Sequence, residues 1–214
     1  MKKINDYSLY LVISEEYGNG RSALEIAKSA ISGGVDMIQM REKTRSPEEL
    51  VRMGRELSRT CKEAGVTFIV NDEAVLAKEV DADGVHLGQD DISRFFINDA
   101  RRILGRDKII GLSTQSLAQF EKANRSDVDY IAFGPIFKTK IKDFFVGTND
   151  VEKVMSLARK PVFFIGGIKL SNIEELLSKG AKNIALIRAI TEADHIASAT
   201  KAFKDKLLRK RVNF

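Results

Sequence analysis

The 214-residue sequence predicts a single closed barrel of parallel strands, the (β/α)8 TIM-barrel fold. Short β-type runs alternate eight times with longer amphipathic runs, which is the pattern of parallel β/α units. No change in composition and no linker divides residues 1–214, so we expect one domain. The first β-type run ends in Ser14-Glu15-Glu16. This is not the glycine-rich turn of a dinucleotide-binding sheet, and it disfavours an open doubly wound sheet.

The predicted strands are short, apolar and rich in β-branched residues, as expected of strands that are buried on both faces. They cover residues 9–13, 37–40, the apolar parts of 67–72 and 83–91, 109–112, 130–133, 162–165 and 183–187. The predicted helices cover residues 22–32, a run from 47, 73–79, 92–104, 117–124, 151–158, 172–179 and a basic C-terminal run. Pro47 suits the first turn of its helix, and Ser46 with Glu49 forms a capping-box pattern.

The composition is that of an ordinary globular protein, with 43% hydrophobic and 30% charged residues. The net charge of +5 is small and both signs are interspersed, so we expect no nucleic-acid partner. No apolar run approaches the roughly 18 residues of a membrane span, and no signal sequence is recognised. The lone Cys61 excludes an intrachain disulfide, and it favours a reduced compartment and a structural role. We therefore expect a cytoplasmic protein that binds no membrane.

Polar and cationic residues follow most of the predicted strands. Because the carboxyl ends of barrel strands meet at one face, where active sites of this fold lie, we expect these residues to form one cup. They are Gln39, Arg41, Glu42, Lys43, Asn71, Asp72, Gln89, Asp91, Ser113, Thr114, Thr139, Lys142, Gly166, Gly167 and Arg188.

The residue types in this cup suit phosphorylated ligands. Arginine and lysine neutralise phosphate oxygens, and carboxylates such as Asp72 and Asp91 suit Mg²⁺, whose other positions go to water or phosphate. Gly166 and Gly167 allow backbone N–H groups to approach a second phosphate. Asn71 and Asp72 are equally compatible with capping the helix that follows them, and the sequence leaves that alternative open.

No Ser-His-Asp or Cys-His arrangement is recognised, and two histidines do not predict a zinc site. His86 falls inside a predicted buried strand, so we interpret it as a core or supporting residue rather than as an acid or base. The loop 136–147 is the longest irregular segment, and loops of that length inside compact domains tend to be functional or mobile.

Six motifs, taken together and in order, resemble those of thiamine phosphate synthases over the whole chain. They are Gln39-Met40-Arg41-Glu42-Lys43, Val70-Asn71-Asp72, Gly84-Val85-His86-Leu87-Gly88-Gln89-Asp90-Asp91, Gly111-Leu112-Ser113, Gly134-Pro135-Ile136-Phe137 and Ile165-Gly166-Gly167-Ile168. The resemblance implies that a pyrimidine pyrophosphate and a thiazole phosphate are joined with Mg²⁺, releasing pyrophosphate. The implied mechanism is dissociative, so the protein supplies no nucleophile. Its partners would be these two small molecules.

The resemblance also assigns roles by motif. The pyrimidine pyrophosphate would contact Gln39, Arg41, Lys43, Asn71, Ser113 and Lys142; Mg²⁺ would bind Asp72 and Asp91; the thiazole phosphate would meet Thr139, Gly167, Ile187 and Arg188. Lys43, Arg41 and Lys142, with Mg²⁺, would stabilise the charge that develops on the leaving group. These three residues and Ser113 are the catalytic candidates.

Three departures from the family pattern fall in the thiazole half. The usual Pro-Thr-x-Thr/Ser-Lys run is Lys138-Thr139-Lys140-Ile141-Lys142 here, and Arg188 stands where a serine is usual. Phe144-Phe145 adds two bulky residues to the loop 136–147. We expect pyrimidine and metal binding to be retained and thiazole binding to be altered.

Two alternatives remain at this stage. A thiazole tautomerase shares the barrel but does not need the metal aspartates or the Arg-x-Lys of the second strand. A phosphate-binding barrel that has lost turnover is the other, and Ile141 and Arg188 are the residues that support it.

Overall fold

A computed structural model describes Ile4 and residues 7–88, 94–139 and 144–212. Eight parallel strands follow one another around a closed barrel in chain order. The last strand pairs with the first, since Leu9 aligns with Ile184 and Leu11 with Leu186. The predicted (β/α)8 barrel is therefore confirmed.

The strands are β1 Leu9–Ile13, β2 Met37–Met40, β3 Thr67–Asn71, β4 Gly84–Leu87, β5 Ile109–Thr114, β6 Tyr130–Phe133, β7 Val162–Ile165 and β8 Asn183–Leu186. The helices are α1 Ala23–Ser32, α2 Pro47–Ala64, α3 Ala74–Glu79, α4 Arg94–Leu104, α5 Leu117–Asn124, α6 Val151–Leu157, α7 Ile173–Ser178, α8 Arg188–Thr191 and α9 Ile196–Val212. A 3₁₀ turn covers Glu15–Tyr17.

The predicted boundaries differ from these at a few places. Ser113 and Thr114 belong to β5 rather than to the loop behind it, because the strand continues its pairing with β6 through Thr114. Ile187 caps α8 instead of ending β8. The capping box of Ser46 and Glu49 at the start of α2 is confirmed, with both reciprocal hydrogen bonds in place.

Two layers of buried side chains hold the barrel together. Alternate strand residues point to opposite faces, so one set packs outward against the helices, including Leu11, Ile38 and Phe68. The other set fills the barrel, and its members are Tyr7, Tyr10, Val12, Met37, Ile69, Tyr130, Phe163 and Ala185. The barrel is thus a packed core and not a pore.

The amino-terminal end of the barrel is closed by a buried ion pair. The Lys204 ammonium of α9 contacts the Asp36 carboxylate, which precedes β2. The same carboxylate oxygen accepts from the Ser8 amide at 2.9 Å and from the Leu9 amide at 3.0 Å. These bonds tie α9 to the starts of β1 and β2.

Two further expectations concern the rest of the molecule. Cys61 is buried in α2, and burial raises the pKa of its thiol to about 12, which fits the structural role predicted for it. Among the residues that the structure describes, no helix is long and apolar enough to cross a bilayer.

Candidate active site

The ends of β3 and β4 place one carboxylate at the rim of the barrel. Asp72 follows β3 with a positive φ of 62°, a conformation that non-glycine residues seldom adopt. Its amide donates to the His86 carbonyl at 2.8 Å, and its Oδ1 accepts from the Gly88 amide at 2.9 Å. Its Oδ2 accepts from the Asn71 side-chain amide at 2.5 Å. The carboxylate is therefore fixed across the ends of two strands.

This geometry tests the alternative interpretation, in which Asn71 and Asp72 cap the helix that follows them. The N-cap of α3 is Glu73, and no side-chain capping bond is present there. The Asp72 carboxylate instead faces the loop behind β4. Helix capping therefore does not account for this acidic residue.

The end of β2 supplies the cationic side of the cup. Gln39 is buried inside the barrel, where its amide nitrogen donates to the Tyr10 hydroxyl. Arg41 follows at the rim and is half-buried, whereas Lys43 is exposed. Glu42 between them accepts from the Glu15 amide at 2.6 Å. That bond joins the loops behind β1 and β2, and burial raises the pKa of the Glu42 carboxyl.

His86 and Ser113 lie side by side in β4 and β5. His86 Nε2 is 2.9 Å from the Ser113 hydroxyl, and His86 Nδ1 is 2.8 Å from the Tyr130 hydroxyl. Burial lowers the pKa of His86 to about 4, so the ring is neutral at physiological pH. The expected burial of His86 within a strand is confirmed.

A cavity of about 720 Å³ opens beside β7 and β8. Its lining includes Lys138, Thr139 and Lys169, together with the apolar side chains of Ala199 and Phe203 in α9. A cavity of this size accommodates a small ligand, and the cations in its lining suit an anionic group on that ligand.

Gly166 and Gly167 at the end of β7 bring backbone close to backbone. Both have positive φ values, 101° and 66°. A Cβ on Gly167 would lie 2.7 Å from the Lys138 carbonyl oxygen. The loop behind β6 pairs directly with this segment, since the Phe137 amide donates to the Gly166 carbonyl at 3.0 Å. Only glycine fits here without moving that loop.

Arg188 lies at the start of α8, on the cavity wall. Its guanidinium stands 4.4 Å above the centre of the Tyr17 ring, and its Nε is 3.1 Å from the Glu192 carboxylate. Burial raises the pKa of the Tyr17 phenol, while the charges of Arg188 and Arg41 act to lower it. Arg188 therefore joins the segment behind β1 to the cavity wall beside β8.

The predicted site residues fall into three groups. The strand ends from β2 to β5 carry Gln39, Arg41, Lys43, Asn71, Asp72 and Ser113, and the lining of the cavity includes Thr139, Gly167, Ile187 and Arg188. Asp91 and Lys142, together with Gln89 and Ile141, lie outside the described residues.

Four residues of the site were not predicted. Tyr10 and Tyr130 contact the predicted Gln39 and His86, and Tyr17 and Glu192 hold Arg188. The (i, i+4) spacing of Arg188 and Glu192 is a sequence signal for their ion pair. The other contacts cross the barrel between residues distant in the chain, and no local pattern indicates them.

Within the described ranges, which leave out Asp91, no three acidic, histidine or cysteine side chains cluster closely enough to hold a metal ion. Asp72 offers one fixed carboxylate at the rim, and Mg²⁺ often takes only one or two protein carboxylates. Asp72 would therefore be one ligand of a magnesium ion, whose remaining ligands would come from elsewhere.

A closed (β/α)8 barrel with a carboxylate, several cations and a glycine-rimmed cavity at the carboxyl ends of its strands is typical of barrel enzymes that act on phosphorylated small molecules. Comparison with known proteins identifies the family. The model of the thiamine monophosphate synthase family matches residues 9–190. The chain belongs to this family.

Individual relatives agree. The chain is 40% identical to the thiamine-phosphate synthase of Persephonella marina over 94% of this chain and 95% of that protein. It is 43% identical to the thiamine-phosphate synthase of Pelotomaculum thermopropionicum over 94% of this chain and 93% of that protein. The solved structure of thiamine phosphate pyrophosphorylase from Pyrococcus furiosus superposes with a TM-score of 0.87 at 30% identity, covering 97% of this chain and 98% of that one.

Proposed function

We propose that the protein is a thiamine phosphate synthase, a transferase of thiamine biosynthesis. It would join 4-amino-2-methyl-5-(diphosphooxymethyl)pyrimidine to 4-methyl-5-(2-phosphooxyethyl)thiazole, giving thiamine phosphate and pyrophosphate. The observation that carries the proposal is that the cup contains two separate regions whose residues suit the binding of an anionic group. One has cations and the Asp72 carboxylate behind β2 and β3, and the other is the cavity beside β7 and β8.

The first region suits the pyrophosphate group. Arg41 and Lys43 neutralise its charge, and Lys142, which lies outside the described residues, would do the same from the loop behind β6. Asp72, with Asp91, would hold Mg²⁺, and the ion would offset the charge of the pyrophosphate. The second region suits the thiazole phosphate, which would lie against Thr139, Gly167 and the Ile187–Arg188 backbone.

The proposed reaction needs no protein nucleophile. The bond between the pyrimidine methylene carbon and the pyrophosphate oxygen breaks, and its electron pair leaves with pyrophosphate. The amino group of the pyrimidine ring stabilises the resulting cation, and the thiazole nitrogen then donates its lone pair to the methylene carbon. The protein's contribution is electrostatic stabilisation of the leaving group and the orientation of the two rings.

Lys142 is the residue whose role is most directly testable. If it stabilises the charge that develops on the leaving pyrophosphate, Lys142→Ala lowers kcat by more than it raises the KM for the pyrimidine substrate. This follows because an interaction made mainly in the transition state affects turnover more than binding. Steady-state kinetics with saturating thiazole phosphate measures both constants, and an unchanged kcat would remove Lys142 from the catalytic set.

The deciding experiment is a discontinuous assay of thiamine phosphate from the two substrates, with and without Mg²⁺. Product that depends on the metal supports the proposal. A chain that forms no product under either condition would refute it. Isomerisation of a thiazole carboxylate phosphate without metal or pyrimidine would favour the tautomerase alternative.

Separate calorimetric titrations with each substrate would then test the two regions. We expect the pyrimidine pyrophosphate to bind in the presence of Mg²⁺, since the residues behind β2 and β3 match the family pattern. Lack of binding by this substrate would contradict the proposed role of the β2–β3 side.

A further inference from the structure

The segment behind β1 is tied to the segment that begins with α8. The Asn19 side-chain amide donates to the Glu192 carbonyl at 3.1 Å. The Arg21 guanidinium donates to the Thr191 carbonyl at 3.2 Å and to the Asp194 carbonyl at 3.3 Å. These three hydrogen bonds join residues that are distant in the chain, and they fix the two segments relative to each other.

Tyr17 and Arg188 meet where these two segments join. Tyr17 is buried, and the centre of its ring lies 4.4 Å from the guanidinium carbon of Arg188, a distance typical of a cation–π contact. The Nε atom of Arg188 is also buried and lies 3.1 Å from the Glu192 carboxylate. The ring therefore holds one face of the guanidinium, and the carboxylate lies at its Nε edge.

The two terminal nitrogens of Arg188 are left available to a ligand. Within the ranges that the structure describes, neither of them donates a hydrogen bond. Arg101 differs in this respect, since its terminal nitrogens donate to the Lys108 carbonyl and to the Asp129 carboxylate. A guanidinium that is held in place and keeps two parallel donors suits an oxyanion, which accepts both.

The cavity beside β7 and β8 indicates which oxyanion this is. The described residues of its lining include three with cationic side chains, Lys138, Lys169 and Arg188, and one with an acidic side chain, Glu192. Most of the remaining lining is apolar, as at Phe203. A phosphate monoester on an apolar body matches this combination of charge and surface.

We propose that Tyr17 is a positioning residue, which holds Arg188 so that its two terminal nitrogens bind the phosphate of a ligand in this cavity. The ring keeps the guanidinium in one orientation before the ligand arrives, so that binding does not have to order this long side chain. The inference rests on the proposed function only for the identification of the ligand as the thiazole phosphate.

Calorimetric titration with inorganic phosphate tests the proposal without turnover. Tyr17→Leu removes the ring, and we expect phosphate to bind about fivefold more weakly because the arginine has lost its cation–π contact and must be ordered on binding. Tyr17→Phe keeps the ring and should bind phosphate as the wild type does. Arg188→Ser should weaken binding about tenfold, the effect of losing one charge-assisted hydrogen bond.

The double variant separates positioning from a general structural effect. In the Arg188→Ser background, Tyr17→Leu should weaken phosphate binding no further, because the side chain that the ring positions is absent. Equal weakening by Tyr17→Leu in both backgrounds would overturn the proposal.

Arg125→Ser is the control for net charge. Arg125 pairs with Glu121 across one helical turn, as Arg188 does with Glu192, but its side chain is 75% exposed at the end of α5. We expect this variant to bind phosphate as the wild type does. A loss equal to that of Arg188→Ser would show a general effect of charge and would overturn the proposal.

If Tyr17→Leu does not fold, the wild type labelled with ¹⁵N-arginine still provides a test. The Nε–H signal of Arg188, identified by its loss in Arg188→Ser, should be shifted upfield by the Tyr17 ring and should move when phosphate is added. A signal that phosphate leaves in place would refute the proposed contact.

Kinetics then tests the identity of the ligand. In thiamine phosphate formation, Tyr17→Leu should raise the KM for the thiazole phosphate about fivefold and leave the KM for the pyrimidine substrate unchanged. Equal changes in both constants would exclude the thiazole phosphate as the ligand of Arg188. If the wild type binds phosphate as expected but forms no thiamine phosphate, the proposed function fails and the positioning role of Tyr17 stands.

Discussion

Lys204→Met should destabilise the protein strongly, because it leaves the Asp36 carboxylate buried without its counter-ion. The side chain of Lys204 is 15% exposed and that of Asp36 is 2% exposed. Breaking a buried pair by removing one partner typically costs about 3–5 kcal/mol. Since Asp36 keeps the amide donors of Ser8 and Leu9, we expect the lower part of this range, about 3 kcal/mol. The melting temperature should fall by roughly 6–12 °C for a chain of this size.

The loss should depend on pH in a defined direction. Burial raises the pKa of Asp36, but the hydrogen bonds from Lys204 and from the Leu9 and Ser8 amides lower it by more than burial raises it. The pKa of Asp36 in the folded protein therefore lies below its usual value. Such a group stabilises the fold above its unfolded pKa of about 3.9 and loses that effect as the pH falls through the folded pKa. The difference between wild type and Lys204→Met should be full at neutral pH and shrink at acid pH.

Urea unfolding followed by circular dichroism at neutral and acid pH measures both effects. Lys201→Met on the same helix is the matched control, because Lys201 is 70% exposed and its pair with Asp205 lies on the surface. The control should stay within about 0.5 kcal/mol of wild type. Asp36→Asn combined with Lys204→Met should cost less than the sum of the single changes. A Lys204→Met variant as stable as the control would refute the reasoning.

Three further predictions concern the cup. Arg188→Ser should raise the KM for the thiazole phosphate by about tenfold, as expected for the loss of one charge-assisted hydrogen bond. The KM for the pyrimidine substrate should stay unchanged. If the serine variant forms product and the wild type does not, the arginine blocks the site. Asp72→Asn should raise the Mg²⁺ concentration needed for half-maximal activity by about tenfold or more, tested by metal titration, and an unchanged requirement would remove Asp72 from the metal site. Gly167→Ala should weaken thiazole phosphate binding in calorimetry, because a Cβ there lies 2.7 Å from the Lys138 carbonyl; equal affinity would show that the loop yields.

The order of the elements and the face that carries the site follow from the sequence alone. Buried parallel strands are apolar throughout, and the polar residues at their ends mark the carboxyl face. The positions of Asn71, Asp72 and the Gly166–Gly167 pair were found in this way because both signals are local. Boundaries such as the end of β5 were less accurate, since Thr114 is retained in the strand by pairing with β6.

Only the tertiary structure decided which side chains meet across the barrel. Tyr10, Tyr130 and His86 come from three strands, and the contact of Tyr17 with Arg188 joins the loops behind β1 and β8. The structure also shows that the Asp72 carboxylate accepts a hydrogen bond from the Gly88 amide rather than capping the next helix. The physical reason is that barrel closure brings together residues far apart in the chain. The periodicity of apolar residues in the sequence predicts which face of a strand or helix a residue occupies, but it does not predict which residue it contacts on that face.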